Sequence, residues 1–200
     1  MKHVSARKLR RLVVLVALSI AAGIAAWTEN STATNEAPRS GIGYSLVRVF
    51  DGDSMLMRTP NGETIKMRIA GVDAPEKSQP SADPARDRLE RLLKESPLQV
   101  TILKKDVYGR WLTSIVVSDR DLGQQLIEEG HAWFFRRYQS DLTAEQRRQY
   151  DWAEQKARED RRGLWAEEQP VAPWEFRQRR REARPICLTW CCQCDISLNW

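Results

Sequence analysis

Among the 26 residues from Asp51 to Glu76, which hold five carboxylates and two arginines, four of the carboxylates and one arginine stand out: Asp51, Asp53, Asp73, Glu76 and Arg68. They stand at the ends of segments that otherwise read as buried strands. Carboxylates placed there are costly to desolvate unless a cation compensates them. A metal ion and a phosphate substrate both answer that need, and together they describe a site that cleaves phosphodiesters. Asp51 and Asp53 flank Gly52, so a tight turn brings both carboxylates near one point. Hard oxygen donors of this kind suit calcium or magnesium and not zinc. An Asp-Gly-Asp turn without a ligand is the plainer alternative. Arg68, between Met67 and Ile69, suits bidentate capture of phosphate oxygens and of charge that builds up in a transition state. A paired arginine at the core edge is its alternative. Glu76 follows Asp73 by three residues, with Pro75 fixing the turn, where it can hold a water as general base. Arg110, in Tyr108-Gly109-Arg110, offers a second clamp or else a surface ion pair with Asp106.

These residues need a scaffold, and the pattern around them supplies one. Tyr44–Phe50, Ser54–Thr59 and Glu63–Ala70 read as strands. Asn61-Gly62 joins the last two, supplying the positive φ angles of a hairpin turn. If those two strands pair, the start of one and the end of the other lie together, and Asp53 approaches Asp73. Lys77–Pro84 reads as a loop beside the site, and Ala85–Lys94 as an amphipathic helix with Leu89, Leu92 and Leu93 on one face. Leu98–Leu103 and Trp111–Val117 read as the fourth and fifth strands. Leu122–Glu129 is a short helix closed by Gly130. Thr143–Arg162 is a longer one, opened by the capping box Thr143-x-x-Gln146 and closed by Gly163. Five short strands with helices between and after them give an α+β fold. A closed or nearly closed β-barrel is the arrangement that hides the strand edges.

Three segments in order carry a family likeness. Asp51-Gly52-Asp53-Ser54, Arg68-Ile69-x-Gly71-Val72-Asp73-Ala74-Pro75-Glu76 and Asp106-Val107-Tyr108-Gly109-Arg110 together resemble the thermonuclease (staphylococcal-nuclease-like) domain. Gly130-His131-Ala132-Trp133, Arg161-Arg162-Gly163-Leu164-Trp165 and Pro173-Trp174-Glu175 look like the later part of bacterial members, so the likeness runs from about Gly43 to Arg177. The resemblance implies a five-stranded OB-fold barrel with about three helices. It implies calcium-dependent hydrolysis of DNA and RNA, with cleavage of the 5′ P–O bond leaving 3′-phosphates. By position it makes Asp53, Asp73 and the Ala74 carbonyl the calcium ligands. Arg68 and Arg110 become the phosphate clamp, Glu76 the residue that orients or deprotonates water, and Asp51 a support for the metal site. Tyr108 and Tyr138 fall near the bound nucleotide, where a base can stack. The sequence departs from the best-known pattern at Ser54, where threonine is usual, at Ala74, where some members have threonine, and at Val107, which removes a lysine contact to phosphate.

The net charge of +5 invites a nucleic-acid reading, but its distribution weakens it. Residues 41–176 carry 21 Lys/Arg against 23 Asp/Glu, so the basic surplus lies in the two ends. Affinity for nucleic acid therefore has to come from a local arrangement and not from a general field. Residues 1–27, a basic start and then the uncharged run Leu12–Trp27, read as a secretory signal or an N-terminal membrane anchor. Residues 28–40 read as a flexible linker, 41–177 as the nuclease domain, and 178–200 as a basic and then cysteine-rich tail. The expected protein is a monomer, exported to the periplasm or beyond, or else held at the inner membrane. Cys187, Cys191, Cys192 and Cys194 crowd into eight residues, which suits disulfides or a poorly ordered tail better than zinc. His131, beside Trp133-Phe134-Phe135, reads as a packing or capping residue.

Overall fold

The strands organised by the Asn61-Gly62 turn are all present in the computed structural model, which describes residues 37–95 and 97–183. β1 (Ser45–Val49), β2 (Ser54–Arg58) and β3 (Thr64–Ile69) form an antiparallel meander. Met55, Met57, Met67 and Ile69 point inward from β2 and β3, as the alternation requires, and are buried. β5 (Leu98–Lys105) and β6 (Trp111–Val117) form the second long pair, and β6 runs parallel to β3 through Met67, Arg68 and Ile69.

Three two-residue strands escaped the sequence reading. β4 (Val72–Asp73) pairs with β8 (Trp133–Phe134), and β7 (Arg120–Asp121) folds back on β6. Two residues cannot display a period of two, so nothing in the local pattern marked them.

Barrel closure is not seen among the described residues. The sheet runs β1-β2-β3-β6-β5, with β7 on β6. Across its two edges, Gly41 and Val100 exchange a pair of backbone hydrogen bonds, each 2.8 Å. Ser40 Oγ accepts from the Ile102 N–H at 2.8 Å, so the end of the expected linker lies along β5 before the chain turns into β1.

Four α-helices and two short 3-10 helices are present among the described residues, against about three helices expected. α1 (Ala82–Lys94) starts three residues earlier than expected, because Pro84 fits the first turn, where its missing N–H has no helical partner to lose. α2 (Leu122–Glu128) is capped by Asp121. α3 (Ala144–Glu159) carries the expected capping box. α4 (Pro173–Glu182) starts on a proline, as helices favour, and spans residues that the sequence divided between domain and basic tail.

One core joins the sheet to α1, α2 and α3. A second cluster, Trp133, Ala157, Leu164, Trp165 and Ala172 with Trp174 against it, mounts α4 behind β8. The N-terminal signal or anchor, most of the linker and the four cysteines lie outside the described residues. Among the described residues no helix is long and apolar enough to cross a membrane.

Candidate active site

The β2–β3 hairpin and β4 bring the acidic residues together. Ser54 pairs with Arg68 in the ladder, and the Ile69 N–H donates to the Asp53 carbonyl at 3.0 Å. After β3 the chain reverses at Ala70-Gly71 and returns as β4, held by β8, which sets Asp73 at the same end of the sheet as Asp53. Both carboxylates are buried, 2% and 1% exposed. Arg68 spans them: one N–H meets Asp53 Oδ1 at 2.5 Å and another meets Asp73 Oδ1 at 2.8 Å. It also donates to the Val72 carbonyl at 3.1 Å.

Asp53 is held on every side. Ser54 Oγ donates to its Oδ1 at 2.6 Å, and the Ala74 N–H donates to Oδ2 at 2.9 Å. Burial works against its ionisation, but Arg68 and these hydrogen bonds outweigh it and hold the carboxyl below the usual range. Asp51 accepts from the Asp53 N–H at 3.1 Å. Burial, and then the neighbouring Asp53, pushes the Asp51 carboxyl up to about 7. Gly52 is required for contact, not for φ. A Cβ there would sit 2.6 Å from the Ala74 Cβ and 2.8 Å from the Ala85 Cβ. The acidic turn is thus packed against both Ala74 and α1.

Asp73 has a second partner that sequence reasoning missed. Arg177, on α4, donates to Asp73 Oδ2 at 2.7 Å, to Asp73 Oδ1 at 3.2 Å and to Glu76 Oε1 at 2.7 Å. Even so, burial keeps the Asp73 carboxyl above its ordinary value. Arg177 is the last residue of the domain expected from the sequence and lies 101 residues beyond Glu76, so no local pattern linked it to the site. The available signal was Pro173-Trp174, a helix start with an anchoring aromatic.

Arg110 lies close by but is committed elsewhere. It pairs with Asp106 Oδ2 at 2.8 Å, the alternative weighed from the sequence, and reaches Ser54 Oγ at 3.4 Å. Its guanidinium lies 5.4 Å from the centre of the exposed Tyr108 ring. Tyr138 is half exposed and lies 5.1 Å from Phe135, which in turn stacks on Trp174 at 5.3 Å. A groove of about 460 Å³ between β1 and α1 adjoins the acidic turn, lined in part by Arg48, Phe50, Asp51, Pro75 and Lys77. Arg136 pairs with the buried Glu154 at 2.7 Å. His131 packs at the end of α2 as expected, and burial lowers its pKa.

The cluster is short of positive charge. Asp51, Asp53, Asp73 and Glu76 are met by Arg68 and Arg177, while Arg110 belongs to Asp106. A deficit of one charge, or of two when Asp51 is ionised, suits one divalent cation, and carboxylate oxygens suit calcium. Among the described residues no group of three or more His, Cys, Asp or Glu side chains forms a ready metal cage. Any ion here shares its carboxylates with the arginines.

Known proteins resemble this chain over the same region. The profile described as staphylococcal nuclease homologue matches residues 66–167, which take in Arg68, Asp73, Glu76 and Arg110. A protein of Escherichia coli O157:H7 named an uncharacterized endonuclease is 30% identical over 136 residues, 68% of this chain and 84% of its own. One of Shigella flexneri named micrococcal nuclease is 33% identical over 147 residues, covering 69% and 82%. A rice protein named "Probable staphylococcal-like nuclease CAN2" is 30% identical over 142 residues, 71% of this chain. The chain spans only 35% of that plant relative.

Proposed function

The chain belongs to the staphylococcal nuclease family, and on that premise we propose that it is a calcium-dependent endonuclease that hydrolyses phosphodiester bonds of DNA and RNA. The observation that carries the reading is Arg68 lying between the two buried carboxylates, Asp53 and Asp73, with Glu76 beside them. Asp53, Asp73 and the Ala74 carbonyl would hold the calcium ion, which would supply a Lewis acid for the phosphate oxygens. Arg68 and Arg110 bind the phosphate and stabilise the charge gathering on it. Glu76 orients a water and takes its proton as the water oxygen bonds to phosphorus. The bond from phosphorus to the 5′ oxygen breaks, that oxygen takes a proton from solvent and leaves as the 5′ hydroxyl, and the phosphate stays on the 3′ side. Asp51 steadies the turn that presents Asp53. Tyr108 and Tyr138 stack against bases, which favours single-stranded or frayed substrate.

The same reading extends to fold and place. The fold proposed with it is an OB-type barrel, a reading supported by the single bridge between Gly41 and Val100 across the two sheet edges. The protein acts as a monomer outside the cytoplasm, or tethered by its N-terminal segment, in keeping with the basic and apolar run of residues 1–27.

Full-length protein incubated with single-stranded DNA or with RNA, in calcium or in EGTA, tests the function. Cleavage in calcium alone, with phosphate recovered on the 3′ ends, is expected. No cleavage by folded protein in calcium would overturn the enzyme reading, and 5′-phosphate products would overturn the assigned bond.

A further inference from the structure

We propose that Arg177 is a positioning residue of this site. From α4 its guanidinium ties the Asp73 and Glu76 carboxylates together, and it is the resident cation with which a divalent metal has to share Asp73. The proposal rests on the nuclease reading for its kinetic part. Arg177 lies beyond residues 66–167, the stretch matched by the family.

Three hydrogen bonds of 2.7, 2.7 and 3.2 Å place the guanidinium between residues 101 and 104 positions earlier in the chain. The other arginines of α4 do nothing similar: Arg179 makes only a 3.8 Å pair with Glu175 on its own helix. Among the described residues, Arg177 is the only hydrogen-bond partner of the Glu76 carboxylate. Without it, the residue assigned to handle the water has no fixed orientation.

The helix that presents Arg177 is fastened at both sides of the site. Trp174 stacks on Phe135 with 14° between the planes and meets Trp133, the β8 partner of Asp73, at 5.6 Å. Gln79 clamps the opposite side. Its Oε1 accepts from the Glu76 N–H at 2.8 Å, and its Nε2 donates to the Val171 carbonyl at 2.7 Å. The loop bearing Glu76 and the segment entering α4 are therefore joined through Gln79 and through Arg177. An arginine on so fixed a mount pays little side-chain entropy for its fork of bonds.

The charge arrangement gives the proposal two effects of opposite sign. Both Asp73 oxygens are taken by guanidinium groups, Oδ1 by Arg68 and Arg177 and Oδ2 by Arg177. Removing Arg177 frees one carboxylate oxygen and makes the cluster one charge more negative, so a divalent ion binds more tightly. The same change releases Glu76, so turnover falls. Loss of the helix as mere scaffold would weaken both.

The test uses full-length wild type, Arg177→Ala, Arg177→Lys and Arg179→Ala. Calcium affinity is measured without substrate by calorimetry, or by terbium luminescence excited through tryptophan. Steady-state cleavage of single-stranded DNA is measured alongside. Arg177→Ala is expected to bind the ion at least about fivefold more tightly. Its kcat is expected to drop about 10- to 100-fold with KM nearly unchanged. Arg177→Lys, which keeps the charge and loses the fork, falls between wild type and Arg177→Ala on both readouts, and it decides the matter if Arg177→Ala does not fold. Arg179→Ala matches wild type. Unchanged affinity and kcat in Arg177→Ala, or a parallel fall in both, overturns the proposal. If wild type itself fails to cleave, the function is refuted, while the metal titration alone still judges whether Arg177 holds Asp73.

Discussion

Arg68 and Asp53 meet at 2.5 Å with the arginine side chain 16% exposed and the aspartate 3%, a nearly dry ion pair one residue before Ser54, the ladder partner of Arg68 in β2. The guanidinium that would grip a substrate phosphate is thus already engaged with a carboxylate that would hold metal. A pair so buried is costly to break from one side, because the remaining charge loses its partner.

Arg68→Ala should therefore lose both stability and activity. It leaves Asp53 and Asp73 facing each other with one cation fewer, at a cost of about 3 kcal/mol by urea unfolding. Single-turnover cleavage should fall about 100-fold or more. Calcium should restore more stability to the variant than to wild type, since it replaces the missing charge. Undiminished cleavage would show that the phosphate clamp lies elsewhere.

Two glycines separate contact from conformation. Gly52→Ala drives a methyl into Ala74 and Ala85, which should cost about 2 kcal/mol and displace Asp51 and Asp53. Gly62, in the distant hairpin, has φ of 89° with open space around it. Gly62→Ala should cost about 1 kcal/mol or somewhat more through backbone strain alone and leave kcat intact. Denaturation curves and cleavage rates of the two variants check the contrast; equal kcat losses would refute it.

The exposed tyrosines should act on binding. Tyr108→Ala and Tyr138→Ala each remove one stacking surface, raising KM for single-stranded DNA about fivefold or more while kcat holds. A fall in kcat at unchanged KM would place these rings in the chemistry and not at the substrate's bases.

The pH dependence of stability should report His131. Burial, with Arg88 and Arg91 adding to it, lowers its pKa below 6.5, while Glu129 opposes the shift. The folded state then binds fewer protons than the unfolded state. The stability contributed by neutral His131 is complete above pH 6.5 and is lost as the pH falls through the folded pKa. Urea midpoints of wild type and His131→Gln at pH 7.5 and 5 measure it. Wild type should lose more on acidification, and equal losses would show His131 to be solvated.

The amino-acid sequence was most legible where the information is local. The Asn61-Gly62 turn and the alternation around it gave three strands to within about a residue, and leucine spacing, Gly130 and the Thr143 box gave three of the four α-helices among the described residues. Spacing alone also grouped Asp51, Asp53, Arg68, Asp73 and Glu76, since adjacent strand ends must meet. The two-residue strands β4, β7 and β8 stayed hidden, and so did the open sheet edge between β1 and β5. Pairing partners so short are chosen by the fold that surrounds them.

By itself, then, the sequence determined which charges are buried at the β2–β3 ends and that they lack enough positive charge nearby. Only the tertiary structure decided which cations answer them. Arg110 turned to Asp106, and Arg177 came in from α4 to Asp73 and Glu76. The reason is that periodicity fixes the face a side chain takes on its own element. Which distant element arrives opposite is set by packing, here by Trp174 docking on Phe135 and Trp133.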